Sequence, residues 1–288
     1  MPGDTGKLAR PARVLLGWMP AAQGELFLVS NTIGVQPTPE QRERARQARE
    51  AVAARPREID QADLVSALPS ELADHVARLR QSPAGAGMFE QGWDVAMVDL
   101  ERVCAFQPKV FIDTVVERVE GIKSDNLEAI AEITLPTTPV EPPQMQFDPS
   151  KPAFMVVSPN PNLTVIGNLT TDIQDIPGAQ GLGFIVRVMP TSVQVVRFQG
   201  RYYLRDGYHR AYALLDRGIT RAPVFIRDMD AIEELVPRPQ GMLPQNAYCG
   251  ARPPLLHDYH NDLVAETVRL PAEQKLIVIQ ALELAPHG

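Results

Sequence analysis

Apolar residues recur along this chain with two periods, and each period marks a different kind of element. Helical spacing is plainest between Thr38 and Ala54, where Ala45, Ala48 and Val52 form a narrow stripe in a run of Gln, Arg and Glu. Thr38 as N-cap, Pro39 at the first helical position and Gln41 as capping-box partner predict where this helix begins. Its stripe is thin, so it should lie on the surface. A second helix is expected from Ser70 as cap to about Arg80, with Leu72, Val76 and Leu79 inward, before Gly85 to Gly92 breaks the pattern. Phe111, Val115, Val116, Val119 and Ile122 give a third face, continued beyond Gly121 to Ser124 by Leu127, Ile130 and Ile133.

The strand-like runs are short. Val14 to Trp18 and Leu26 to Val29, joined by a turn at Pro20 to Gly24, predict an N-terminal hairpin. The apolar run from Trp93 to Phe106 opens the main domain. Phe184 to Val188, Val193 to Phe198 and Tyr202 to Leu204 are expected strands, the last two paired around Gln199-Gly200. A helix from Tyr208 to Arg217, stopped by Gly218, then leads to a strand at Val224 to Ile226. Asp230 to Leu235 suits a short helix, and Thr267 to Leu270 with Leu276 to Ala281 suit a final hairpin around Pro271-Ala272-Glu273. The expected class is α+β. Residues 1–92 form an N-terminal addition, 93–228 a mixed core with an insertion at about 134–181, and 229–288 a Pro-rich C-terminal extension.

Chemistry concentrates between Arg201 and Ile226, RYYLRDGYHRAYALLDRGITRAPVFI, where a charged turn interrupts a packable strand, helix and strand. Asp206, His209 and Arg210 fall at a strand-to-helix junction, and a helix start favours an anion such as phosphate. Asp206 would serve well as the helix N-cap. His209 should be neutral there, offering an acceptor for a proton or a donor to a phosphate oxygen. Tyr208 and Tyr212 share a helix face and suit core or pocket wall.

Asp206-Gly207-Tyr208-His209-Arg210, followed by Ala211, Ala213, Gly218 and the strand led by Pro223, resembles the signature of the ParB/sulfiredoxin-like superfamily. Upstream, Val98 to Lys109 is similar to the opening strand and Gln-Pro-Arg segment of ParB-like domains, with Lys109 standing where arginine is usual. The resemblance implies a nucleotide or nucleic-acid phosphate at the turn, bound by Gly207, Tyr208, Arg210, Lys109 and Gln107. Catalysis would then fall to His209 and Asp206, with a nucleoside triphosphate and Mg²⁺ as the implied cofactors. Two departures are visible: Tyr208 replaces the cysteine of sulfiredoxins, and Tyr208-His209-Arg210 replaces the Glu-Arg-Arg run of partitioning proteins. Phosphoryl transfer, nucleotide hydrolysis and nuclease activity therefore stay open, beside a non-catalytic module that keeps the fold for protein or nucleic-acid contact.

Composition narrows the partners. A formal charge of −7 and a pI near 5.3 leave no global basic footprint, so nucleic acid would need a local patch. Arg42, Arg44, Arg46 and Arg49 offer none, because Glu40, Glu43 and Glu50 are interleaved with them. Cys104 and Cys249, the two cysteines, are too few for a disulfide framework and fit a reduced cytoplasm. The apolar run before Pro20 is too short for a signal core or a membrane span, so the sequons at Asn162 and Asn168 lack secretory context. His257-Asp258-Tyr259-His260 has two histidines three apart but no third ligand at metal spacing, so no metal site is assigned and a surface loop is expected. Prolines cluster at 136–161 and 237–254, which favours ordered loops there.

Overall fold

The structure, a computed structural model, describes residues 9–30, 32, 34–57, 59–113, 119–138, 143–150, 153–158, 163–172, 180–188, 192–236, 241–271 and 275–280. In chain order it begins with β1 (Ala9–Val14), α1 (Ala21–Leu28), α2 (Pro39–Ala53), β2 (Val65–Ser66), α3 (Ala73–Gln81) and α4 (Pro83–Glu90). Then come β3 (Asp94–Asp99), β4 (Lys109–Phe111), α5 (Leu127–Thr134), β5 (Gln144–Asp148), β6 (Ala153–Ser158), β7 (Leu163–Asp172) and β8 (Gln180–Val188). The rest is β9 (Gln194–Phe198), β10 (Arg201–Asp206), α6 (Tyr208–Asp216), β11 (Arg221–Asp228), α7 (Ile232–Leu235), α8 (Gln245–Tyr248), β12 (Glu266–Pro271) and β13 (Lys275–Gln280). The fold is α+β, in two compact units, Met1–Thr137 with Thr191–Ala272 and Thr138–Pro190 with Glu273–Gly288. No helix among the described residues is long and apolar enough to cross a membrane.

The first unit is built on a five-stranded sheet of order β10-β9-β11-β3-β2 and a three-stranded sheet of order β12-β1-β4. β9 and β10 are the expected hairpin. Gln199 and Gly200 both have positive φ, 49° and 79°, the paired left-handed turn that matches strand twist and that glycine adopts without strain. α6 then carries the chain across, and β11 returns parallel to β9 and antiparallel to β3. Tyr208, Ala211, Tyr212, Ala213 and Leu214 of α6 are buried in the main core, and a leucine so buried contributes about 2 kcal/mol.

α2 follows its sequence signals closely. Thr38 accepts from the Gln41 amide at 3.2 Å, the Gln41 side chain accepts from the Thr38 amide at 2.9 Å, and Ala45, Ala48 and Val52 are its buried residues. Arg46 pairs with Glu43 and Glu50 on the exposed side, as interleaved charges should. Arg44 does more, reaching Glu266 at 2.8 Å and the carbonyls of Asp262 and Ala265.

Elsewhere tertiary partners overrode the local pattern. The expected N-terminal hairpin is absent: residues 16–18 form one 3-10 turn, and Leu26 to Val29 ends helix α1, which packs on α2. A short apolar run does not by itself separate strand from helix, and here burial of Gly24 and Phe27 selects the helix. β1 lies further upstream and pairs with β12, Val14 opposite Glu266, and with β4, Ala12 opposite Phe111. Phe111 is thus a strand residue and not part of a helix face; Val115 and Val116 fall outside the described residues. The expected final hairpin does not form either. β12 pairs with β1 in the first unit, whereas β13 pairs with β6 in the second, Ile277 opposite Val156.

Two further expectations shift at helix starts. Ser70 does not cap α3, which begins after a 3-10 turn at Ser70–Leu72, so His75 and Leu79 are buried and Val76 only partly. His75 Nε2 makes a 2.9 Å contact with the Leu135 carbonyl there, while the buried Nδ1 has no hydrogen-bond partner among the described residues. The glycine-rich segment that should have broken the pattern is helix α4, because Ser82 caps it through the Gly85 amide at 3.0 Å and Pro83 occupies N1.

In the second unit β5 and β13 flank β6 in one sheet, and β7 pairs with β8 in a two-stranded ribbon. Val156, Leu163 and Val188 form its small buried cluster.

Candidate functional site

The turn between β10 and α6 depends on Gly207. Its φ is +90°, and a Cβ added to it would stand 2.8 Å from the Val193 Cα and 2.9 Å from Cγ2. Only glycine fits that backbone and that approach. Gly207 is also the N-cap residue of α6, the position expected for Asp206. Asp206 stands one residue earlier, its Oδ1 accepting from the Gly207 amide at 2.7 Å.

Tyr208 and His209 join this turn to the β4 segment a hundred residues upstream. The buried Tyr208 hydroxyl donates to the Leu204 carbonyl at 2.7 Å and accepts from the amides of Phe106 and Gln107 at 3.0 and 3.4 Å. Burial raises that phenol well above its ordinary range, so it stays protonated. His209 Nε2 accepts from the Phe111 amide at 3.2 Å, which places the ring proton of the neutral imidazole on Nδ1. Its ring lies parallel to Phe111, centroids 6.3 Å apart. Gln107 is held as well: its side chain donates to the Lys109 carbonyl at 3.0 Å, and its own carbonyl accepts from the Tyr259 hydroxyl.

The charged groups gather on the same side chain. Lys109 Nζ stands 5.2 Å from the Phe111 ring centre and the Arg10 guanidinium 4.7 Å from it, within the range of cation-π attraction. Arg10 is in turn bidentate to Asp113 at 2.7 and 2.6 Å. Arg210, one helical turn beyond Asp206, acts on its carboxylate together with Arg205. The structure therefore brings Gln107 and Lys109 to Tyr208 and His209, and sets Asp206 beside Arg210. It adds Arg10 and Phe111, for which local sequence gives no signal because only the β1–β4 register delivers them.

Asp206 has a pH signature. Burial pushes its carboxyl above the usual carboxylate range, against the opposing pull of the Gly207 amide and the two arginines. A raised folded value means that its contribution to stability is fully present below the unfolded value near ~3.9 and is lost as pH rises through the folded one. Asp206→Asn, which cannot ionise, should gain on wild type between about pH 3 and about pH 7. Denaturation midpoints of both proteins at the two pH values check this, and an unchanged difference would refute it.

The histidine cluster is a surface loop only in part, since His257 and His260 are exposed but the residues between them are not. His257 to His260 lie in a 3-10 segment whose Asp258 and Tyr259 are fully buried, while His260 stacks on Tyr212 with centroids 4.2 Å apart. Asp258 accepts from the Leu255 amide and pairs with Arg55, so the cluster is a structural joint. Among the described residues no group of three or more His, Cys, Asp or Glu side chains is placed to hold a metal ion. Both cysteines are free thiols, and burial pushes Cys104 up to about 12, far from the thiolate a nucleophile needs.

The chain matches no family model, no curated protein and no solved structure.

Proposed function

We propose that the chain binds a phosphate-bearing ligand of the nucleotide class at the turn between β10 and α6, and holds it without converting it. The observation that carries this is the meeting of two distant segments: Phe106 to Phe111 are bonded directly to the first turn of α6 through the Tyr208 hydroxyl and His209 Nε2. Lys109 and Arg210 then supply positive charge around a helix start. The nucleotide class comes from the resemblance to ParB/sulfiredoxin-like proteins, and membership of that superfamily belongs to the same proposal. Its support is the order of strand, hairpin, helix and strand around Asp206 to Arg210.

The engaged side chains favour binding over turnover. His209 uses Nε2 on a backbone amide and the Tyr208 proton is held on the Leu204 carbonyl, so neither is poised as general acid or base. A Mg²⁺ ion would arrive on the ligand's phosphates, and Asp206 offers the kind of single carboxylate such ions commonly take from protein.

The test is a thermal-shift panel of nucleoside mono-, di- and triphosphates, with and without Mg²⁺, on wild type, Lys109→Met and Arg210→Gln. A nucleotide at a hundred times its Kd should stabilise wild type by about 2.7 kcal/mol. Both variants should lose that shift, and the nucleotide should be recovered unchanged. A panel without any shift would overturn the binding proposal and favour a protein-interaction module; conversion of the nucleotide would overturn the non-catalytic part.

A further inference from the structure

At the opposite end of β10 from the turn, about 17 Å away for five residues of extended strand, lies an open depression of ≈ 620 Å³. Its lining includes three arginines, Arg57, Arg197 and Arg201, together with Gln61, Gly200 and Tyr202, and, among the described residues, no acidic side chain. The volume falls within the range of small-ligand sites. On a chain with seven more acidic than basic residues, such a concentration of guanidinium groups requires a reason.

The walls are built. Gln61 is fixed by both ends of its amide: Oε1 accepts from the Tyr202 amide at 3.1 Å, and Nε2 donates to the Arg102 carbonyl at 2.8 Å. This ties the Ile59 to Ala62 segment against the hairpin. Arg201 is oriented by Nη1, which donates to the carbonyls of Gly250 at 2.6 Å and Cys249 at 3.2 Å. Those partners are neutral, so its charge is directed but not cancelled. Arg57 and Arg197 are exposed and form no ion pair among the described residues, although Asp228 stands opposite Arg197 in the parallel pairing of β9 and β11. The left-handed turn at Gln199 and Gly200 leaves the space beside Gly200 open to a ligand.

We infer that this depression binds a phosphorylated small molecule bearing at least two phosphate groups. Guanidinium groups match phosphate oxygens well, and three arginines spread around a concavity of ≈ 620 Å³ leave room for a second phosphate beside the first. On a chain of net charge −7 the patch is a local attractor for anions. This site is separate from the turn at Asp206 to Arg210 and does not depend on it.

Calorimetric titration with inorganic pyrophosphate tests the inference on wild type, on the double variant Arg57→Ala/Arg197→Ala, and on Lys109→Met. Both arginines are exposed, so the double variant should fold, which its circular dichroism checks. Pyrophosphate should bind wild type and Lys109→Met equally and the double variant about a hundredfold more weakly, tenfold per guanidinium. Orthophosphate should bind more weakly than pyrophosphate. Absence of pyrophosphate binding, or binding that survives in the double variant and fails in Lys109→Met, would overturn the inference; the second result would place the anion at the turn. Equal affinity for orthophosphate and pyrophosphate would overturn the two-phosphate requirement.

Discussion

Arg55→Ala should destabilise the first unit by about 3–5 kcal/mol, the cost of leaving a buried charge without its partner. Asp258 is fully buried, and Arg55 meets both of its oxygens, at 2.7 and 2.9 Å. The guanidinium also lies over the Trp18 ring, 5.0 Å from its centre, so truncation removes packing as well as charge. Chemical denaturation followed by tryptophan fluorescence reads this directly, because Trp18 and Trp93, the two tryptophans of the chain, both belong to the first unit. Adding Asp258→Asn to Arg55→Ala should recover part of the loss, since the buried charge is then gone. A loss under about 1 kcal/mol would mean that water reaches the carboxylate.

Gly207→Ala should cost about 3–4 kcal/mol, combining strain at a left-handed residue with overpacking against backbone. At φ +90° the new methyl group would press on Val193 Cα at 2.8 Å and on the Ser192 carbonyl oxygen at 3.1 Å. Neither contact is with the end of a flexible side chain, so β10, α6 or the segment before β9 must move. The same fluorescence-detected denaturation gives the number. The proposed nucleotide binding should fall in parallel, because the displaced turn carries Tyr208 and His209 away from the Phe106 to Phe111 backbone. A near-neutral substitution would show that the turn has room that its geometry denies.

What was legible in the sequence was whatever a few neighbouring residues settle among themselves. The capping box at Thr38 and Gln41, the turn at Gln199-Gly200 and the stop at Gly218 act within one turn of backbone, and each element they delimit formed near its expected bounds. The short α4 shows the limit of such signals. Glycine content between Gly85 and Gly92 spoke against a helix, and the buried Ser82 cap with Pro83 at N1 prevailed. Of the candidate site, residue types and order were visible, and roles were not. Asp206 looked like an N-cap and bonds its neighbour's amide instead. His209 looked like an acid or base and accepts from Phe111. Gln107 was expected on a ligand and holds the Lys109 carbonyl.

The arginine depression illustrates the other side. Arg197 and Arg201 flank a predictable turn, yet nothing local says that Arg57 arrives beside them; that depends on Gln61 gripping the backbone of Tyr202. Strand partnership was equally hidden. β12 alternates as a strand should and β13 is a short apolar run, but their partners are β1 and β6 in different units, because pairing is decided by which distant edges and apolar faces can be covered together. The burial of Asp258 follows from the same assembly: a carboxylate in a proline-flanked, histidine-rich segment becomes an interior group only once Arg55 is brought to it. The sequence by itself determined the α+β class, the α2 and α6 helices and the β9–β10 turn, since caps, glycines and apolar period act over a few residues. The tertiary structure alone decided strand partners, the fate of α1, the joining of β4 to α6 and the grouping of charges, because these depend on contacts between segments that are far apart along the chain.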